Sequence, residues 1–241
     1  MRAAAIVQAA KVSKRFGGFT ALNAVDFSLG RGERVGLIGP NGSGKSTLVN
    51  CLTGVLTVDR GSILFDGIDI TRMPAWRRAR LGLSRSFQVP RPFRGLSVRQ
   101  NIEVPLMFAI GRHDREQIER EAQSVLEQVG LAGRADASPR SLNQVELRRL
   151  ELDRALAAKP RVLVADEAMA GLSEFEIDVV LELLMRLNAE GIAIVLIEHI
   201  MRTVLRFSQR IVVLVAGRKI ADGAPHDVMA LPEVERAYLG Q

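Results

Sequence analysis

The chain has 241 residues, 47% of them apolar, and a formal net charge of +6. That length suits one large α/β domain with a small insertion, and no apolar run approaches the roughly 18 residues of a membrane-spanning helix. The lone cysteine, Cys51, excludes an internal disulfide and reads as a small buried hydrophobe, and the 28 arginines are scattered without aromatic interleaving, which reads as solvated faces and argues against nucleic acid.

The N-terminal residues show no charged-then-apolar leader, so the chain is expected on the cytoplasmic side. Apolar and polar residues alternate over 6–16, turn at Gly17-Gly18 and resume over 19–29, the pattern of a β-hairpin. Arg34-Val35-Gly36-Leu37-Ile38 reads as a buried strand, and Ser46 to Thr53 as a helix stopped by Gly54. Between them stands Gly39-Pro40-Asn41-Gly42-Ser43-Gly44-Lys45-Ser46-Thr47, which fits G-x-x-x-x-G-K-S without a mismatch. The glycines let the backbone wrap closely enough for several N–H groups to point at one polyphosphate. Lys45 brings a point charge to the terminal phosphates, and the Ser46 hydroxyl can ligate Mg²⁺. The run therefore predicts binding of a nucleoside triphosphate.

Ser62-Ile63-Leu64-Phe65 predicts a short strand closed by Asp66-Gly67, and residues 74–80 a helix carrying Trp76, the sole tryptophan. From about 97 to 157 the chain is helical and dense in charge. After Pro160, strands are predicted over 162–165, 192–197 and 211–215, with helices over 174–189 and 200–207 between them. Alternating strands and helices imply a parallel sheet with right-handed crossovers. The expected fold is α/β, with a nucleotide-binding core over 1–88 and 158–241, an N-terminal antiparallel β-portion, and a helical subdomain over 89–157.

Ligands of open α/β sheets bind beyond the carboxyl ends of the strands. One predicted strand ends in Asp166-Glu167 and another in Glu198-His199. Asp166 suits the organisation of Mg²⁺, and Glu167 the orientation and polarisation of an attacking water. His199 suits the γ-phosphate and the in-line water, while Glu198 reads as structural.

With these motifs in order, nearly the whole chain resembles the ATP-binding subunits of ABC transporters. The resemblance puts Phe16 at the aromatic that stacks on adenine and Gln88, in Ser86-Phe87-Gln88, at the Q-loop glutamine with its catalytic and Mg²⁺-ligating place. It makes Asp166-Glu167 the Walker B pair, Ala170-Gly171-Leu172-Ser173 the D-loop and His199 the switch histidine. Within the family, Arg85-Ser86-Phe87-Gln88, Ala170-Gly171-Leu172, Ile197-Glu198-His199 and Ala237-Tyr238-Leu239-Gly240 look most like the ATPases of branched-chain amino acid uptake systems. The resemblance implies ATP and Mg²⁺ as ligands and a second ABC ATPase subunit, identical or different, as partner. It also implies integral-membrane permease chains and, indirectly, a solute-binding protein, with a peripheral location on the cytoplasmic face of the inner membrane. Residues 89–94, after the Q-loop glutamine, are expected to receive the permease. A low-turnover regulatory half of a heterodimer and a non-transport ABC ATPase are the alternative functions.

One motif departs from the family. Where LSGGQ is expected, Leu142-Asn143-Gln144-Val145-Glu146 stands. In the family this turn opens a helix whose N–H groups meet the γ-phosphate held by the opposite subunit, as helix N-termini favour anions. Asn143 can cap that helix and replace part of the serine's role toward nucleotide. Val145 crowds a position where glycine permits close approach, and Glu146 adds negative charge. Ala168 and Ser173 are milder departures.

Overall fold

Two twelve-residue strands, β1 (Ala5–Phe16) and β2 (Phe19–Gly30), form the predicted antiparallel hairpin, with Phe16 opposite Phe19 across its turn. The computed structural model describes residues 5–86, 91–108, 110–111 and 114–239. Strand β3 (Arg34–Ile38) enters a second sheet, and α1 (Lys45–Thr53) follows it. Strands β4 (Arg60–Phe65) and β5 (Ile68–Asp69) return to the hairpin and complete an antiparallel sheet in the order β2-β1-β4-β5.

The chain then runs through α2 (Ala75–Arg80), β6 (Leu83–Ser86), α3 (Val98–Phe108), α4 (Arg115–Gln128) and α5 (Gln144–Ala157). The second half alternates as expected: β7 (Val162–Asp166), α6 (Glu174–Ala189), β8 (Ala193–Ile197), α7 (Met201–Phe207) and β9 (Arg210–Val215). Strand β10 (Arg218–Gly223) and helices α8 (Pro225–Met229) and α9 (Pro232–Leu239) close the fold. The second sheet has the order β10-β9-β3-β8-β7-β6, parallel except for β10. Among the described residues no helix is long and apolar enough to cross a membrane.

A parallel sheet covered on both faces needs strands that are apolar on both sides, and β7 and β8 are buried at every position. The two-residue period sorts their side chains. Val162, Val164, Val195 and Ile197 face the cluster shared with α1 and the antiparallel sheet, whereas Leu163, Ala165, Ile194 and Leu196 face the cluster shared with α6. The second cluster continues into α3, α4 and α5 through Val98, Ile102, Leu126 and Leu150. Each fully buried Val, Leu or Ile contributes about 1.5–3 kcal/mol, so a polar residue at Leu163 would break the joint between sheet and helices.

The arginines are the main correction to the expectation of solvated faces. Arg78 is buried and donates from Nη1 to the carbonyls of Cys51 and Leu52 at 2.7 Å, from Nε to Met73 O at 2.8 Å and from Nη2 to Thr71 O at 3.2 Å. It thereby satisfies the C-terminal carbonyls of α1, where cations are favoured. Arg210 likewise ties Ser28, Glu33 and Asp222 together. Cys51 is buried, as expected, and burial pushes its thiol up to about 11.

Candidate active site

The P-loop runs from the carboxyl end of β3, at the centre of the parallel sheet, into α1. Two of its glycines are dictated by close backbone approach. At Gly39 (φ 149°) a Cβ would lie 2.0 Å from Leu214 O, and at Gly44 (φ 103°) 2.6 Å from Ala21 O. Helix α1 has no side-chain cap and no acidic residue in its first turn, so its N–H donors and positive dipole end are left for an external anion.

Lys45 folds back inside the loop and donates to Gly39 O at 2.6 Å and Pro40 O at 3.0 Å. Burial lowers its pKa, while the negative charges of Glu167 and Asp166 oppose that shift. Residues 41–47 line a cleft of about 250 Å³ together with Phe16, Phe19, Ala21, Glu167 and His199. Gly39 and Pro40 are not among the residues lining it; their carbonyls hold the Lys45 ammonium. Ser43 is buried, and its Oγ has no hydrogen-bond partner.

The strand ends bring the acidic and basic groups to this cleft. Strand β8 lies beside β3, and β7 beside β8, so His199 and Asp166-Glu167 follow neighbouring carboxyl ends. His199 Nε2 and Glu167 Oε1 are 3.0 Å apart. Glu167 adopts a positive φ of 47°, with its N–H donating to Ile197 O at 2.9 Å. A left-handed glutamate is a strained conformation that persists only where the surroundings fix it, as at functional sites. Asp166 is buried beside Arg85, which donates to it from Nη2 at 2.5 Å. Glu198 is buried too and accepts the Met169 N–H at 2.9 Å, which fixes the segment after β7; burial raises its pKa.

The Ser46 hydroxyl, in the cleft, and the Asp166 carboxylate, at the end of β7, are hard oxygen donors of the kind that Mg²⁺ takes alongside water and phosphate oxygens. Among the described residues no group of three or more His, Cys, Asp or Glu is gathered that could hold a metal ion. Gln88 lies outside the described residues.

Asn143 lies apart from the cleft as the N-cap of α5. Its Oδ1 accepts the Glu146 N–H and Glu146 Oε2 accepts the Asn143 N–H, both at 2.9 Å. Glu146 also stands 3.4 Å from the Arg134 guanidinium. The turn that departs from the family motif is therefore closed on itself by a capping box. Arg148 donates to Ala170 O at 3.1 Å and so joins α5 to the segment before Ser173, itself the capped start of α6.

Between α2 and α3 lies an apolar groove of about 420 Å³, lined by Trp76, Phe93, Val104, Pro105, Phe108 and Arg154 among others. Phe93 is fixed there: its N–H donates to Asn101 Oδ1 at 2.7 Å, and the Arg154 guanidinium lies 4.8 Å from its ring centroid. Of the expected docking segment, Phe93 lines this groove, and 89–90 lie outside the described residues. Two participants were missed from sequence. Phe19 had a detectable signal, an aromatic paired with Phe16 across the Gly17-Gly18 turn. Arg85 was read only as part of the run Arg85-Ser86-Phe87-Gln88, because only the tertiary register puts it beside Asp166.

Fold and cleft together define a P-loop nucleotide-binding protein. Residues 22–170, more than half of the chain, match the ABC transporter family, and the chain belongs to that family as one of its ATP-hydrolysing cassettes. BraF of Pseudomonas aeruginosa, a high-affinity branched-chain amino acid transport ATP-binding protein, is 36% identical over 98% of this chain and 98% of its own length. LivG of Escherichia coli, with the same description, is 37% identical over 94% of each. Among solved structures, a nucleotide-free ATP-binding cassette from an ABC transporter superposes with a TM-score of 0.90 at 29% identity, covering 98% of this chain and 100% of the other. A dimeric cassette in a post-hydrolysis state with ADP and Pi gives 0.82 at 26%, covering 91% and 98%.

Proposed function

We propose that this chain energises a membrane importer for branched-chain or other hydrophobic amino acids, as one of two ATPase subunits bound peripherally to the cytoplasmic side of permease chains. The 241 residues act as one ATP-binding domain in which 89–157 is a helical subdomain. The solute class rests on the near full-length likeness to BraF and LivG. The observation that carries the chemistry is the 3.0 Å contact between Glu167 and His199 at the mouth of the P-loop cleft.

In this reading Phe16 and Phe19 stack on the base, and the P-loop N–H groups hold the phosphates. Lys45 leaves the Gly39 and Pro40 carbonyls for the terminal phosphates. Ser46, Asp166 and Gln88 hold Mg²⁺, which neutralises charge on the phosphates when bound. Glu167 accepts a proton from the attacking water, and His199 orients Glu167 and contacts the γ-phosphate. Dissociation of the two subunits after hydrolysis moves the permease, whose contact is the groove around Phe93 and Trp76.

The test is reconstitution of the chain with its permease and solute-binding protein in liposomes. Leucine, isoleucine or valine should stimulate ATP hydrolysis, and Phe93→Ala should reduce uptake severalfold more than basal ATPase activity. Absence of stimulation by any apolar amino acid would overturn the solute class. Equal loss of uptake and basal hydrolysis in Phe93→Ala would overturn the docking role.

A further inference from the structure

Arg85 is a largely buried arginine for which the catalytic reading has no task. It lies on β6 beside Val164 of β7, in parallel register. Its guanidinium bridges two other elements: Nη2 donates to Asp166 Oδ2 at 2.5 Å and Nη1 to Asn50 Oδ1 at 2.6 Å. The side chains of Arg85 and Asp166 are only 13% and 6% exposed, so water and salt screen this pair little. Asn50 belongs to α1, the helix that carries Lys45 and Ser46 at its start. One planar group thus ties the carboxylate at the end of β7 to the helix that holds the P-loop.

We propose that Arg85 is a positioning residue of the divalent-cation site, fixing the Asp166 carboxylate relative to α1 so that it and the Ser46 hydroxyl face the same cation. The inference rests on the reading of Asp166 and Ser46 as Mg²⁺ ligands. Left to itself, an aspartate at a strand end turns about two side-chain torsions, and a cation that demands near-octahedral geometry tolerates little of that freedom. A guanidinium removes it because its donors lie in one rigid plane, with one edge on the carboxylate and the other on Asn50. Lysine carries the charge as a point on a flexible stem and cannot reproduce both contacts in fixed geometry. Partners of this kind, one shell out from a metal, typically change metal affinity or activity by about 10–100-fold when removed.

The experiment measures ATP binding to the purified full chain across a Mg²⁺ titration and again in EDTA, for wild type, Arg85→Met, Arg85→Lys and Asp166→Asn, with thermal melting as the folding control. Arg85→Met should move the Mg²⁺ midpoint upward by about 10–100-fold while metal-free ATP affinity changes less than about twofold. Arg85→Lys should fall between Arg85→Met and wild type. An Asp166→Asn protein with an unmoved midpoint would defeat the reading of Asp166 itself. A moved midpoint in Asp166→Asn with an unmoved one in folded Arg85→Met would overturn the role of Arg85 alone, as would equal losses with and without Mg²⁺. Should Arg85→Met fail to fold, Asn50→Ala removes one anchor of the guanidinium, and no upward shift there overturns the proposal.

Discussion

Helices α1 and α5 each begin at a phosphate-related motif, and their first turns are built in opposite ways. At α1, Gly44 caps nothing and no acidic side chain enters the first turn, so the backbone donors remain for a ligand. At α5, Asn143 and Glu146 satisfy each other, and a carboxylate already occupies the place an anion would take. A helix N-terminus is an anion site only when its own side chains leave it open. We propose that this chain holds its own nucleotide well and completes the nucleotide site of a partner poorly.

The largest expected effects test the open side of that comparison. Glu167→Gln should keep ATP binding and lower turnover by about 10³-fold or more, since a water-orienting group of this kind is worth orders of magnitude in rate. Lys45→Ala should abolish ATP binding or turnover, because the phosphates lose their nearest cation. Equilibrium ATP binding and steady-state phosphate release in the native assembly separate the two variants. Wild-type turnover in Glu167→Gln would remove Glu167 from the chemistry.

The far end of α1 gives the next effect. Arg78→Met should cost roughly 2–4 kcal/mol in urea unfolding, because it strips a buried cation from the terminal carbonyls of α1 and from Met73 and Thr71. A loss below about 1 kcal/mol would mean that the carbonyls find other donors.

These cases also mark how far the sequence could be read. The P-loop, the Asp166-Glu167 pair and His199 are legible because each chemistry needs a fixed residue order next to an apolar strand. The hairpin and the helix Glu174–Ala189 are legible from periodicity, and the observed α6 has those bounds. Strand β6 was not legible: Leu83-Ser84-Arg85-Ser86 has one apolar residue, and its state is set by pairing with β7 at the sheet edge. Residues 218–239 were not assigned either, since β10 is only partly buried and α8 and α9 are short. The buried arginines failed for a related reason. Their partners are mostly backbone carbonyls or carboxylates distant in sequence, which composition does not reveal.

The closed side of the comparison gives a smaller effect of opposite sign. Asn143→Ser, Val145→Gly and Glu146→Gln together should raise the ATPase rate of the self-paired chain about tenfold, by removing the charge and crowding at the start of α5. The same change keeps a capping-box pair, Ser at the N-cap and Gln at the third helical position, so the helix start stays capped and stability should fall only by about 0.5 kcal/mol, from Val145→Gly. If the native partner is a different cassette, the site using Lys45, Glu167 and His199 should be the faster of two unequal sites. The ATPase rates of this chain alone, the triple variant and this chain with its partner decide among these outcomes. Brisk hydrolysis by the unmodified self-paired chain, unchanged in the triple variant, would show that Leu142 to Glu146 works as it stands.

The smallest effect comes from a buried carboxylate further along α5. On α1, buried Lys45 and Thr53 both have hydrogen-bond partners. On α5, Asp153 is fully buried with no hydrogen-bond partner at either carboxylate oxygen. Burial raises its pKa well above the usual carboxylate value, with Arg149 opposing the shift. Above the ordinary aspartate pKa the unfolded chain has released this proton while the folded chain still holds it. Folded protein therefore binds more protons in that window, and stability falls as pH rises through it. Asp153→Asn removes the titration, so the slope of unfolding free energy against pH should flatten. The neutral-pH stability should rise by on the order of 1 kcal/mol. Glu198, which burial also holds high, is untouched and leaves a residual slope of the same sign. Urea unfolding of wild type and Asp153→Asn from pH 5 to 8 measures the difference, and parallel profiles would mean that Asp153 stays charged by finding a partner on the helices around it.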